Sequence, residues 1–348
     1  MTQEAQDLFA EGLQRQSARK KLIELLGKET VQSLHQRSNG WGWWAVTSVW
    51  LVVIAAMAVI VWAQTQPLWI AIPTIVFAIL IIAGRQLGMA ILMHEASHRS
   101  LFENTWLNDT FANWLCGYPI FLEVHKYRKH HFVHHAKTGT MDDIDYSLIR
   151  GFPTTRASLV RKFSRDVFGI TGIKSVLGLI LMNAGVLRWT MASDLERLPR
   201  NGQSLWDYTR NFFREAWPTL LTNLALFSIT AALGHAELYV AWLVAYLMPY
   251  YLFIRIRALA EHAMTEQCPD MLKNTRSTHA GVLARAFVAP FRVNYHIEHH
   301  ALAQVPFWQL PRLHKLLREK NAVPVPPSYW DVMKLVSSRN NTSQPSGA

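Results

Sequence analysis

Cysteine is almost missing from this chain of 348 residues. Cys116 and Cys268 lie far apart and in no metal or redox spacing, which excludes a disulfide framework and fits two reduced thiols. Charge is scarce as well. Asp, Glu, Lys and Arg make up 17% of the residues against 50% hydrophobic, and the stretch Trp43 to Ala63 holds no charge at all. No secretory signal is expected, because the first 42 residues are mostly polar and the first apolar run is too long for an h-region. Nor is there a recognition motif for DNA or RNA, so the net charge of +11 is not read as nucleic-acid binding. The segment "RQSARKKL" (15–22) reads as a solvated face near anionic lipid.

What the chain has instead is long apolar runs. Trp43 to Ala63 is 21 residues. At about 1.5 Å per residue it spans roughly 30 Å, the thickness of bilayer hydrocarbon. Further runs cover about 68–90, 217–234 and 238–256. Four such runs, flanked by Trp and Tyr, fit a membrane better than a soluble core. They pair as two hairpins through the turns "QTQP" (64–67) and "GHAE" (234–237), neither of which holds Lys or Arg. The positive-inside rule then places both termini and the middle region in the cytoplasm, with a bacterial inner membrane as the expected location. Arg85 and Arg255 end two of the runs and are expected to snorkel to the interface.

The expected fold is therefore all-α and integral to the membrane: four transmembrane helices in two hairpins under a cytoplasmic helical cap. Residues 1–42 read as cytoplasmic amphipathic helices, packed on the cap or lying on the membrane surface. Residues 43–336 form the membrane domain, and 337–348 a disordered tail. Segments 107–124 and 170–189 are apolar but interrupted, and suit interfacial or buried positions.

The 15 histidines cluster. "HEASH" carries His94 and His98, "HKYRKHHFVHH" carries His131, His134 and His135, and "NYHIEHH" carries His296, His299 and His300; His262 follows the fourth apolar run. On an α-helix, residues at i, i+3 and i+4 share a face, so each H-x-x-H-H box can aim three imidazoles at one place. Nine imidazoles are too many for one tetrahedral zinc and suit two metals with open positions. Ligand type alone leaves iron, zinc, copper and nickel open.

"HEASH" is also H-E-x-x-H, the zinc-protease pattern. A protease would use His94, His98 and one more ligand, with Glu95 as base, and would leave the other two boxes unexplained. A metal transporter would place its ligands near the bilayer midplane, whereas these boxes fall beyond the helix ends. Glu95 then reads as an acceptor that orients a ligand histidine. Asp142, Asp143, Asp145, Glu261, Asn294 and Glu298 are candidates for the same task. His35, His125, His235, His279 and His314 fit no box. Arg128, Lys129, Arg255 and Arg257 read as membrane-surface charge, with binding of a phosphate or anionic head group as the alternative.

At these boxes, with "VPFWQLPRLH" after the last, the chain resembles the membrane fatty acid desaturases and their hydroxylase relatives over roughly Trp43 to Leu317. The resemblance implies a non-haem di-iron centre on the cytoplasmic side that uses O2 to desaturate a lipid or acyl chain. Its implied ligands are His94, His98, His131, His134, His135, His262, His296, His299 and His300. His130 is a possible substitute, because His130, His134 and His135 make the H-x-x-x-H-H spacing of alkane hydroxylases. Hydroxylation is the alternative outcome. No cytochrome b5-like segment is present, so a separate ferredoxin, rubredoxin or cytochrome is the expected electron donor.

Overall fold

The computed structural model describes residues 17–339. Among them it is helical, with isolated bridges and no strand. The expectations on residues 1–16 and 340–348 lie outside the described residues.

Helix α1 (17–26) and α2 (Lys28–Leu34) precede the first hairpin, α3 (Asn39–Gln64) and α4 (Leu68–Ser97). The Ser38 side chain caps α3 by accepting from the Trp41 N–H. Leu51, Ile54 and Trp62 of α3, with Trp69, Ile72 and Phe77 of α4, are exposed. In water such a surface is a liability; against lipid tails it is the expected one. At 30 residues, α4 is about 45 Å long and outruns a bilayer core of about 30 Å. Its last turn carries His94, and His98 caps it.

Irregular π and 3-10 turns over Leu107–Ile120 lead to α5 (Val124–Lys137). Asn113 Oδ1 accepts from the Val124 N–H at 2.7 Å, and Glu123 caps the N–H groups of His125 and Lys126. Both contacts fix where the second histidine box begins. Then come α6 (Tyr146–Ile149), α7 (Arg156–Val167) and α8 (Ile170–Asn183). The second hairpin is α9 (Leu205–Ala232) followed by α10 (Glu237–Leu247) and α11 (Pro249–His262). Short helices complete the chain: α12 (Val282–Phe287), α13 (His296–Ala301), α14 (Leu310–Glu319) and α15 (Tyr329–Val336).

The two hairpins meet at both levels. Gln64 Nε2 donates to Glu237 Oε1 at 3.1 Å, so their turns lie at one end. Trp50 stacks on Trp242 at 6.0 Å, and Gln86 Nε2 donates to the Trp242 carbonyl at 2.9 Å inside the core. The histidines gather at the other end. A second core joins Leu22, Val31 and Leu34 to Leu310, Leu313 and Leu317, so α1 and α2 pack on the C-terminal region.

Three helical stretches are long and apolar enough to cross a membrane: Asn39–Gln64, Leu68–Ser97 and Glu237–His262. The run expected as the third span, 217–234, lies mostly within α9, which is not among them. Thr219, Thr222, Asn223, Ser228 and Thr230 dilute its apolar character, and Asn223 is spent on the carbonyls of Tyr118 and Thr219. A fourth candidate comes instead from α7 and α8, bent by 62° into a broken span or re-entrant loop. The final span is interrupted as well, because Met248 leaves helical geometry (φ −114°, ψ −89°) just before Pro249, which has no N–H to continue the ladder. At that break Gly172 of α8 runs so close to the Leu247 carbonyl that a Cβ would sit 2.1 Å from its oxygen.

The two arginines expected at the interface are half-buried and bonded to the protein. Arg85 Nη2 donates to the Ala286 carbonyl at 2.7 Å. Arg255 grips the fully buried Asp166 through two nitrogens, and Thr171 Oγ1 donates to the same carboxylate at 2.5 Å. A carboxylate sealed in an apolar packing layer needs such a partner more than the guanidinium needs water. Asp166→Ala should strand Arg255 and cost about 3 kcal/mol or more. An unchanged unfolding temperature in detergent would show that the pair is dispensable.

Candidate metal centre

Four helix ends deliver the histidines. α4 brings His94 and His98, α5 brings His131, His134 and His135, α11 ends on His262, and α13 brings His296, His299 and His300. Each set follows the i, i+3, i+4 logic of one helical face.

The rings fall into three groups, two of which share His262. Ligand atoms of His94, His98, His131, His135 and His299 lie within 4.8 Å of one another. So do those of His134, His262 and His300, and those of Glu261, His262 and His296. Imidazoles bound at about 2.1 Å and roughly 90° apart on one ion have nitrogens about 3.0 Å apart. Here His131 Nε2 and His135 Nε2 are 3.0 Å apart, His135 Nε2 and His299 Nε2 3.2 Å, and His262 Nε2 and His296 Nε2 2.8 Å. Among the described residues neither ring nitrogen of His300 has a hydrogen-bond partner, and neither does Nε2 of His94, although both rings are buried. Orphaned nitrogens that converge in a buried layer are what a cation would satisfy. Burial and the neighbouring imidazoles hold His131, His135, His296 and His300 well below the usual imidazole range. They are neutral, the state that ligates. The residues present thus fit a pair of metal ions.

The carboxylates nearby divide by what they touch. Asp143 Oδ1 lies 2.9 Å from His134 Nδ1, which turns Nε2 of that ring toward the cluster. Burial opposes charging His134, but Asp143, then Asp145 and Glu261, raise its pKa to about 9. Asp145 Oδ1 takes His130 Nε2 at 2.9 Å, and His130 stands outside every ligand group. Glu261 lies 3.7 Å from His296 Nδ1 and accepts from Arg257 Nε at 2.8 Å. Glu95 comes to 3.8 Å from His94 Nδ1, while its other oxygen accepts from Ser100 Oγ and the Phe307 N–H.

Three candidates do other work. Glu298 is read from sequence as orienting its neighbouring histidines. Its oxygens instead accept from Ser277 Oγ at 2.5 Å and pair with His314 Nδ1 at 2.6 Å. The helix turns Glu298 away from the face shared by His296, His299 and His300. Asn294 donates to the Thr278 carbonyl at 2.8 Å, pinning the chain before α13, and Asp142 is exposed. His314, which fits no box, reaches the box-three helix through Glu298; nothing in its spacing signals this. Ser277 is equally silent in sequence. The Arg257–Glu261 pair was legible as an i, i+4 ion pair. Arg128, read as surface charge, donates to the Ser97 and Ala96 carbonyls at the end of α4 and pairs with Asp109. A helix C-terminus attracts such a cation because its last carbonyls lack partners.

A cavity of about 550 Å³ opens beside the rings. Its walls are largely apolar, from Leu87, Ala90 and Met93 of α4 to Leu179 and Met182 of α8 and Tyr246 and Tyr250. It ends against His131, His134, His262 and His296. Glu95 does not line it.

Comparison with known proteins agrees with this arrangement. Over 247 residues, 69% of this chain and 66% of the relative, the sequence is 26% identical to dihydrorhizobitoxine desaturase of Bradyrhizobium elkanii. The chain thus covers just under two thirds of that relative's length. Residues 67–332, which hold every histidine box, match the family described as Fatty acid desaturase. The chain belongs to the fatty acid desaturase family, a family of oxidoreductases.

Proposed function

We propose that this protein is an O2-dependent membrane desaturase that introduces a C=C bond into the alkyl chain of a lipid or acyl substrate. The observation that carries the reading is the apolar cavity ending on four of the clustered histidines. His94, His98, His131, His135 and His299 would hold one iron ion, and His134, His262, His296 and His300 a second. Bound iron supplies, with O2, an oxidant strong enough to take hydrogen from an unactivated alkyl chain, which no side chain can do.

The protein's own part is placement and exclusion. Leu87, Met93, Leu179 and Met182 hold an alkyl segment in the cavity and keep water from the buried rings. Asp143 fixes the tautomer and tilt of His134, while Glu261 stands 3.7 Å from His296 Nδ1, beyond hydrogen-bond distance. The occupied Glu95 oxygen and its absence from the cavity argue against a protease in which Glu95 activates water. Three or four membrane-crossing helices, with termini and active site on the cytoplasmic side, complete the reading. Electrons would arrive from a separate ferredoxin, rubredoxin or cytochrome.

Protein loaded with iron should carry about two metals per chain. His94→Ala and His300→Ala should abolish new double bonds in fed lipids and lower bound iron; full activity in either purified variant would sink the ligand assignment. His130→Ala should keep wild-type metal content, since Asp145 and not a metal group is its partner. Loss of an ion in that variant would move His130 into the ligand set. Asp143→Asn should weaken metal retention against a chelator by about 10- to 100-fold. Retention equal to wild type would show that His134 is oriented without it.

A further inference from the structure

Two half-buried guanidinium groups line the cavity. Arg255 is held in a two-point pair with the buried Asp166 through Nε and Nη2, and Arg165 and Lys174 are exposed. Arg257 lies deeper, one turn before His262, with its side chain 18% exposed and lining the cavity. Among the described residues its hydrogen bonding is confined to Glu261 through Nε, which leaves Nη1 and Nη2 to the cavity. Glu261 in turn is shared, its other oxygen lying 3.7 Å from His296 Nδ1. A guanidinium presents a planar fork that matches a carboxylate through two parallel bonds. Asp143 and Asp145 line the same cavity and disfavour a doubly charged phosphate there.

Resting on the reading of the cavity as the substrate chamber, we infer that Arg257 binds the carboxylate of the substrate. The substrate class is then a free carboxylic acid. Its acid group lies inside the chamber beside the histidine cluster, and the reacting carbons stand a short distance from it. An ester or thioester carbonyl would offer the fork one neutral acceptor in place of two charged oxygens, and would forfeit the charge-assisted two-point pairing.

The test compares binding of octanoate and methyl octanoate to iron-loaded protein in lipid nanodiscs, with empty nanodiscs subtracted. Octanoate should bind wild type about 10-fold or more tighter than its ester. Arg257→Gln should erase that preference by weakening octanoate and leaving the ester within about 2-fold, and Arg257→Lys, which keeps the charge, should restore part of it. Equal binding of acid and ester by wild type overturns the inference without needing any variant to fold. Equal weakening of both probes in Arg257→Gln also overturns it, and makes Arg257 a positioning residue for Glu261. Metal content, measured on the same samples, tests the parent reading separately.

Discussion

Eight buried imidazoles and the half-buried His262 crowd together in this protein, and that crowding is the constraint from which the rest follows. A buried polar atom without a partner costs about 1–3 kcal/mol, and His300 alone presents two such nitrogens. The cluster is tolerable only if cations fill it or if the helices around it are held rigidly enough to bear it. The architecture suits both. Nitrogens converge at metal-ligand spacing, and α4, α5 and α13 are each tied down at an end.

The ties come from unlike chemistry. Arg128 closes the end of α4 by gripping its last carbonyls. Asn113 and Glu123 start α5 at a set residue. Ser277 anchors α13 twice, accepting from the Ile297 N–H and donating to Glu298, and His314 holds the far oxygen of that carboxylate. Fixing the helix ends fixes the imidazoles, because a ring on the first or last turn moves with its backbone. The apolar helices supply the platform, and the cavity between α4, α8 and α11 ends against His131, His134, His262 and His296.

Much of this could be read from residue order. The spacing within each box is a helical periodicity, so which rings share a face needed no coordinates. The long uncharged runs pointed to helices apolar enough to cross a membrane, and the lysine-free turns that join them meet where Gln64 donates to Glu237. The weaker helices were harder to read. In 217–234 Asn223 and several hydroxyls lower the mean hydropathy, while Asn223 itself is spent on the carbonyls of Tyr118 and Thr219. In 170–189 the single Lys174 hid a helix that joins α7 as a bent candidate span.

By itself the sequence determined the helical class, the apolar platform and the nine histidines that come together, because all three depend on local periodicity and composition. Only the tertiary structure decided how those nine are grouped, that His130 is drawn off by Asp145, and that Glu298 faces His314 and not its own neighbours. It also decided that Arg257 looks into the cavity while Arg255 is consumed by Asp166. Each of these depends on a partner distant in the chain or on which way a helix is rotated against its neighbours. Packing sets both, and no short stretch of sequence encodes either.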